Sequence, residues 1–202
     1  MSAGSLVESG RGLFDTSGKR RDSCRTTSRG GRQRLFFALW PTDEFRAEIQ
    51  TSTQAIAEAS GGRLIPPRNY HVTLLFLGDV PVESVAAVQQ AAAQLAGSPA
   101  FELNFDGIEA WQRKVLCLTT STPPAAAIEL SARLRSNLGS HLPRHDEHEF
   151  RPHVTLARDL PRAQRARKVK ALCQKVVDFS LVESVRDASG SHYSVLARWP
   201  LD

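Results

Sequence analysis

Apolar residues fall along this chain in short bursts that alternate between two rhythms. RLFFALW (residues 34–40) is a near-continuous apolar run closed by Pro41, the pattern of a buried strand. Thr42 then supplies an N-cap with Asp43 and Glu44 in the first turn, and Gly61 and Gly62 stop the helix that follows. HVTLLFLG (71–78) predicts a strand, the Ala/Gln-rich stretch 81–96 a helix ended by Gly97, and FELNFDGIEAW (101–111) a strand. The same order then returns. KVLCLTT (114–120) predicts a strand, 124–138 a helix ended by Gly139, HVTLAR (153–158) a strand, 161–173 a helix, and VVDFSLVESV (176–185) a strand. SHYSVLARW (191–199) closes the chain as a last strand.

The repeat has a measurable period. Leu35 precedes His71 by 36 residues, and Val115 precedes His153 by 38. Such spacing marks an internal duplication of a strand–helix–strand–helix–strand unit. It predicts an α+β fold of two pseudo-symmetric α/β lobes, with equivalent strands facing one another across a central cleft.

Residues 1–33 stand outside this pattern. They are rich in Ser, Gly and Arg, lack apolar periodicity, and read as a disordered basic extension ahead of a folded domain at 34–202. The extension carries seven Lys/Arg against three Asp/Glu, so most of the formal net charge of +5 resides there. The remainder is close to neutral, and any attraction for phosphate must come from local placement. No apolar run approaches the roughly 20 residues of a membrane span, and no secretory h-region follows the N-terminus. Cys24, Cys117 and Cys173 form no CxxC pair. An odd count suits reduced thiols in the cytoplasm, with Cys117 and Cys173 as small buried residues. The expectation is a soluble cytoplasmic monomer.

The chemistry lies in the duplicated HVTL. Side chains alternate along a strand, so His71 and Thr73 share one face while Val72 and Leu74 take the other. His153 and Thr155 stand in the same relation to Val154 and Leu156. Each strand therefore offers an imidazole and a hydroxyl roughly 7 Å apart, and pseudo-symmetry brings both pairs to one cleft. Two imidazoles suit a reaction that needs one base and one acid. Their ordinary pKa near 6.5 predicts a bell-shaped profile around pH 6–8. Threonine hydroxyls and backbone N–H groups can hold anionic oxygens. Phosphodiester cleavage needs this set and no metal.

HVTL…HVTL, within NYHVTLLFLG and FRPHVTLAR and after RLFFALWP, resembles the two-histidine phosphoesterases, in particular the RNA 2′,3′-cyclic phosphodiesterases once called 2′-5′ RNA ligases. The resemblance runs from about Arg34 to the C-terminus. It implies antiparallel sheets around the cleft and an RNA substrate with a 2′,3′-cyclic phosphate end. It makes His71 the proton donor to the leaving oxygen and His153 the group that activates water. Thr73 and Thr155 become phosphate contacts, and the product carries a 2′-phosphate. No cofactor is implied. Arg158 belongs to the resemblance as a further phosphate contact, yet simple alternation places it opposite His153, where an ion pair at the strand end is the plainer expectation.

Other features carry less. His141, His145 and His148 are dense enough to suggest zinc, but Pro143 breaks the helix that would align them, and a solvated loop is expected. Arg162, Arg165, Arg167, Lys168 and Lys170 would form the solvated face of the helix at 161–173, or lend electrostatic help to an RNA tail. Trp40, Trp111, Trp199 and Tyr70 are core or rim residues, one of which could stack on a terminal base. Two rivals remain on the sequence alone. One keeps the chemistry and changes the substrate to 2′-5′ linkages or a cyclic-phosphate nucleotide. The other is a non-catalytic RNA- or nucleotide-binding module, for which a second intact imidazole has less use.

Overall fold

The computed structural model describes residues 31–112, 114–139, 150–188 and 190–202. The segment 1–30 and the His-rich loop with His141, His145 and His148 lie outside the described residues. The first strand, β1 (Arg32–Leu39), begins two residues ahead of the expected boundary. Helix α1 (Asp43–Ala59) starts as anticipated, with the Thr42 hydroxyl accepting from the Phe45 N–H at 3.2 Å. It buries Phe45, Ile49, Thr53 and Ala57, a stripe at every fourth position. Two short pieces follow: β2 (Arg63–Leu64) and a 3₁₀ turn at Pro67–Asn69. Then come β3 (Val72–Pro81), α2 (Val85–Ala93) and β4 (Phe101–Trp111). The second half supplies β5 (Val115–Thr119), α3 (Ala125–Asn137), β6 (His153–Arg158), β7 (Arg167–Val176), β8 (Asp178–Asp187) and β9 (Gly190–Pro200). None of the described helices is long and apolar enough to cross a membrane.

Two antiparallel sheets result, ordered β3-β1-β8-β9 and β2-β6-β5-β4-β7. The duplicated halves do not close on themselves. Strand β4 ends the first copy but pairs with β5 of the second, and β8 ends the second copy but pairs with β1 of the first. The helices cross over too, α1 packing on β6 and β7 and α3 on β3. One continuous core accordingly runs through both sheets, from Leu35 and Phe37 to Leu118 and Leu156.

The helix expected at 161–173 does not form: residues 161–166 are irregular and β7 takes over from Arg167. Arg, Lys, Ala, Leu and Gln favour a helix there, but β4 has an open edge and β7 pairs along it from Phe101↔Val176 to Ile108↔Arg167. Tertiary pairing outweighs a propensity of a few tenths of a kcal/mol per residue. Arg167, Lys168 and Lys170 thus line an outer strand, where charge discourages further pairing. Cys173, expected inside, is exposed on this strand, whereas Cys117 is buried.

Both HVTL strands are bulged at the residue after the motif threonine, and β3 is bulged again at Leu77. Ala38 faces Thr73 and Phe37 faces Leu75, which leaves Leu74 as a β-bulge. Cys117 faces Thr155 and Leu116 faces Ala157, which leaves Leu156 as its counterpart. Each of the two motif bulges turns two successive residues toward the core, Leu74 with Leu75 and Leu156 with Ala157, all at most 3% exposed. The carbonyls of Leu74 and Leu156 are satisfied from other elements. Ser131 on α3 donates its hydroxyl to Leu74 at 2.8 Å, and the Ile65 N–H donates to Leu156 at 2.9 Å.

Ser131 is 2% exposed, so Ser131→Ala strands a buried acceptor. Urea denaturation is expected to show a loss of about 1–3 kcal/mol. A loss within about 0.3 kcal/mol of zero would mean the bulge does not depend on this bond.

Candidate active site

The sheets present their HVTL strands to a shared cavity of about 330 Å³ lined by His71, Thr73, His153, Thr155 and Arg158. All five residues singled out in the sequence meet there. The bulge at Leu156 overturns the expectation for Arg158. By adding one residue it resets the alternation, so Arg158 returns to the face of His153 and Thr155. Among the described residues no carboxylate forms an ion pair with it. The matching bulge at Leu74 brings Phe76 into the same cavity, so the pseudo-equivalent positions hold an aromatic ring and a guanidinium.

Each imidazole is held in the same way. His71 Nδ1 lies 2.7 Å from the Asn69 carbonyl, and His153 Nδ1 lies 2.7 Å from the Arg151 carbonyl. A carbonyl oxygen only accepts, so Nδ1 carries the proton in both rings, and the neutral forms expose the lone pair of Nε2. Both carbonyls sit two residues before the histidine. Asn69 is fixed by the 3₁₀ turn after Pro66 and Pro67, and its side-chain amide donates to the Ser191 carbonyl at 2.9 Å. Thr73 Oγ1 lies 3.1 Å from His71 Nε2, so its hydroxyl donates to the neutral ring.

Each imidazole also rests on a tryptophan that carries an arginine. Trp40 stacks on His71 with centroids 5.5 Å apart and planes at 21°, and the Arg46 guanidinium lies 4.9 Å from the Trp40 ring. Trp111 lies 4.3 Å from His153, with Arg151 at 4.6 Å. The expectation of core or rim holds for these rings in a specific sense, since their role here is to back the histidines; Trp199 packs in the core on Phe179. Arg46 is buried and donates from Nε to the Tyr70 carbonyl at 3.4 Å, while Arg151 pairs with Glu109 at 3.3 Å.

Sequence reasoning missed Phe36, Phe76, Arg34, Asn69 and Tyr193. Phe36 lies 4.9 Å from His71, Tyr193 meets it edge-on at 5.3 Å, and Arg34 sits 4.6 Å over Phe76. Tyr193 comes from β9, which has no counterpart in the repeat. The one available signal was position, since Asn69 and Arg151 each stand two residues before a motif histidine.

These surroundings shift the histidines. Burial pushes His71 down to about 4, with the charges of Arg158 and Arg46 adding to the effect and the Asn69 carbonyl opposing it. His153 is also lowered, chiefly by burial and then by Arg158 and Arg151. Both rings are therefore neutral at pH 7 in the free protein.

A family model described as the 2′-5′ RNA ligase superfamily matches residues 41–187. The RNA 2′,3′-cyclic phosphodiesterase of Escherichia coli is 32% identical over 171 residues, covering 84% of this chain and 97% of that protein. The RNA 2′,3′-cyclic phosphodiesterase of Thermus thermophilus is 29% identical over 179 residues, covering 83% and 90%. The crystal structure of E. coli LigT complexed with 3′-AMP aligns with a TM-score of 0.78 at 31% identity, covering 84% of this chain and 98% of that one.

The lowered values move the expected bell. A reaction that needs one imidazole protonated and the other neutral runs fastest between the two pKa values of the pair. Both lie below 6.5 in the free protein, so the optimum of kcat/KM is expected on the acid side of pH 6.5, in place of the pH 6–8 anticipated from unperturbed histidine. Bound anionic substrate favours imidazolium, so the profile of kcat should lie at higher pH than that of kcat/KM. Initial rates across pH 4–9 test this, and a kcat/KM optimum at or above about pH 7 would contradict the burial of His71.

Proposed function

Because this chain belongs to the 2′-5′ RNA ligase superfamily, among its RNA 2′,3′-cyclic phosphodiesterases, we propose that His71 and His153 are its proton-transfer pair. The protein hydrolyses the 2′,3′-cyclic phosphodiester at an RNA terminus. His153 Nε2 takes a proton from water, and the resulting hydroxide attacks phosphorus in line with the 3′ oxygen. The bond from phosphorus to that oxygen breaks as the new one forms, and His71 Nε2–H protonates the departing oxygen. The product is a 2′-phosphate beside a free 3′ hydroxyl. The protons then return to their starting rings through solvent.

Thr73, Thr155 and Arg158 hold the non-bridging oxygens as charge gathers on them. A donor of this kind contributes about 10²–10³ in rate. The observation that carries the reading is the pair of Nδ1–carbonyl bonds, which sets the lone pair of both neutral imidazoles on Nε2. A binding module has no need for two rings held in one tautomer. Proton transfer between two imidazoles leaves no step that requires a cation, and among the described residues no three His, Cys, Asp or Glu side chains gather to hold one. A cytoplasmic compartment remains the reading, supported by the odd cysteine count, together with a monomeric assembly.

His71→Ala and His153→Ala are each expected to lose about 10²–10⁴ in kcat on an oligonucleotide ending in a cyclic phosphate, with EDTA present. The double variant should be little worse than either single one, because the two act as a unit. Either single variant keeping more than about a tenth of the rate, or turnover lost on chelation and restored by zinc, would sink the assignment. Phosphorus NMR of the products should show a 2′-phosphate alone. A 3′-phosphate would reverse the two roles, and cleavage confined to a matched 2′-5′ linked oligonucleotide would favour the rival substrate.

A further inference from the structure

Beside the catalytic cavity lies a second depression of about 590 Å³. The two share Ile65, Asn69, Arg158, Arg186 and Tyr193, so they form one continuous channel. Arg63 and Arg68 flank the second depression from β2 and the 3₁₀ turn, and Arg186 flanks it from the end of β8. Arg63 is held by Asp159, with Nε and Nη2 both 3.1 Å from the carboxylate. Among the described residues no carboxylate forms an ion pair with Arg68, Arg158 or Arg186, although Asp187 lies in the wall. Between the arginines runs an apolar ledge of Leu64, Ile65 and Pro66, and Leu64 is 43% exposed.

Guanidiniums gathered without carboxylate partners beside an apolar ledge create a local positive field in a domain that is nearly neutral as a whole. Their chemistry fits a single-stranded nucleic acid, whose phosphates take guanidinium forks and whose bases lie on apolar or aromatic surface. The cyclic phosphate occupies the end of such a strand, so the rest of it must leave the cavity by some route. The depression lined by Arg63, Arg68, Arg158 and Arg186 offers such a route.

We propose that this depression holds the sugar–phosphate backbone of the nucleotides preceding the terminal one, so that the enzyme selects oligonucleotide ends over free cyclic mononucleotides. The proposal rests on the function given above and extends it to the substrate's length. Arg68 is the informative position, because it lines the depression but not the catalytic cavity. It is exposed on a short turn, so its replacement should not disturb folding.

The test compares a 2′,3′-cyclic mononucleotide with a pentanucleotide ending in the same group, using the full chain and its Arg68→Glu and Arg63→Gln/Arg68→Gln variants. The wild type should favour the pentanucleotide by at least about tenfold in kcat/KM at low salt, the worth of one charged hydrogen bond. Arg68→Glu should remove about that factor through KM while mononucleotide turnover stays within about twofold. Anisotropy of a labelled pentanucleotide ending in a 2′-phosphate should show a salt slope that falls by about 0.7 for each phosphate contact removed. Equal use of both substrates by the wild type, a preference that survives charge reversal, or equal loss on both substrates would each overturn the proposal. If neither substrate turns over, the function assigned above fails, and the binding arm decides the depression alone. Affinity insensitive to salt and to Arg68→Glu would then reject it.

Discussion

The bulge that follows the motif threonine in each HVTL strand governs the geometry of the cavity between the sheets. Leu74 and Leu156 each oppose no residue on the neighbouring strand, and each drives itself and the next residue into the core. Alternation resumes in the opposite phase, and that change points Phe76 and Arg158 into the cavity with the two histidines. An unbulged β6 would send the guanidinium away from His153 and the cavity. Because buried backbone carbonyls need partners, the bulges also bind the halves together. Ser131 reaches Leu74 from the second half, and Ile65 reaches Leu156 from the first.

The same interlocking explains how two imidazoles come to be held between the sheets. Each sheet is completed by the closing strand of the other copy, so the faces that carry the histidines are not free to drift apart. Burial then makes both rings neutral. A fall of His71 from 6.5 to about 4 corresponds to about 3 kcal/mol of preference for the uncharged form. A substrate phosphate about 4 Å away, at an effective dielectric near 20, returns about 4 kcal/mol to the charged form. In the proposed roles the acid is armed by the substrate it serves, and the free protein does not have to hold two imidazolium ions beside Arg158.

Arginine, tryptophan and histidine recur together on both sides of the cavity, but not identically. Arg46 is buried beside Trp40 with the Asp43 carboxylate 2.6 Å away, and Arg151 is more exposed beside Trp111 with Glu109 3.3 Å away. Both arginines have a carboxylate partner, so the difference lies in burial: Arg46 acts on His71 from where water screens little, and Arg151 acts on His153 from an exposed position. Near-symmetric motifs are in this way placed in unequal fields. A duplicated site needs that inequality if one ring is to give a proton and the other to take one.

The motifs, their spacing and the alternation of residues within them are local properties, and for that reason the sequence alone determined most of the strands, the α+β class, the duplication and the pairing of His71 with His153. The family followed from the same residues. What it misjudged depended on partners distant in the chain. Residues 167–173 have helical propensity, yet they form a strand because β4 offers an edge more than fifty residues away. Arg158 faces the cavity because β5 is one residue shorter than the stretch of β6 it pairs with, a mismatch no single strand records. Tyr193 arrives from outside the repeat, and the depressed pKa of His71 arises from surfaces contributed by four separate segments. Periodicity writes which face a residue takes, but only pairing between strands decides where that count begins again, and only burial decides what charge the residue carries there.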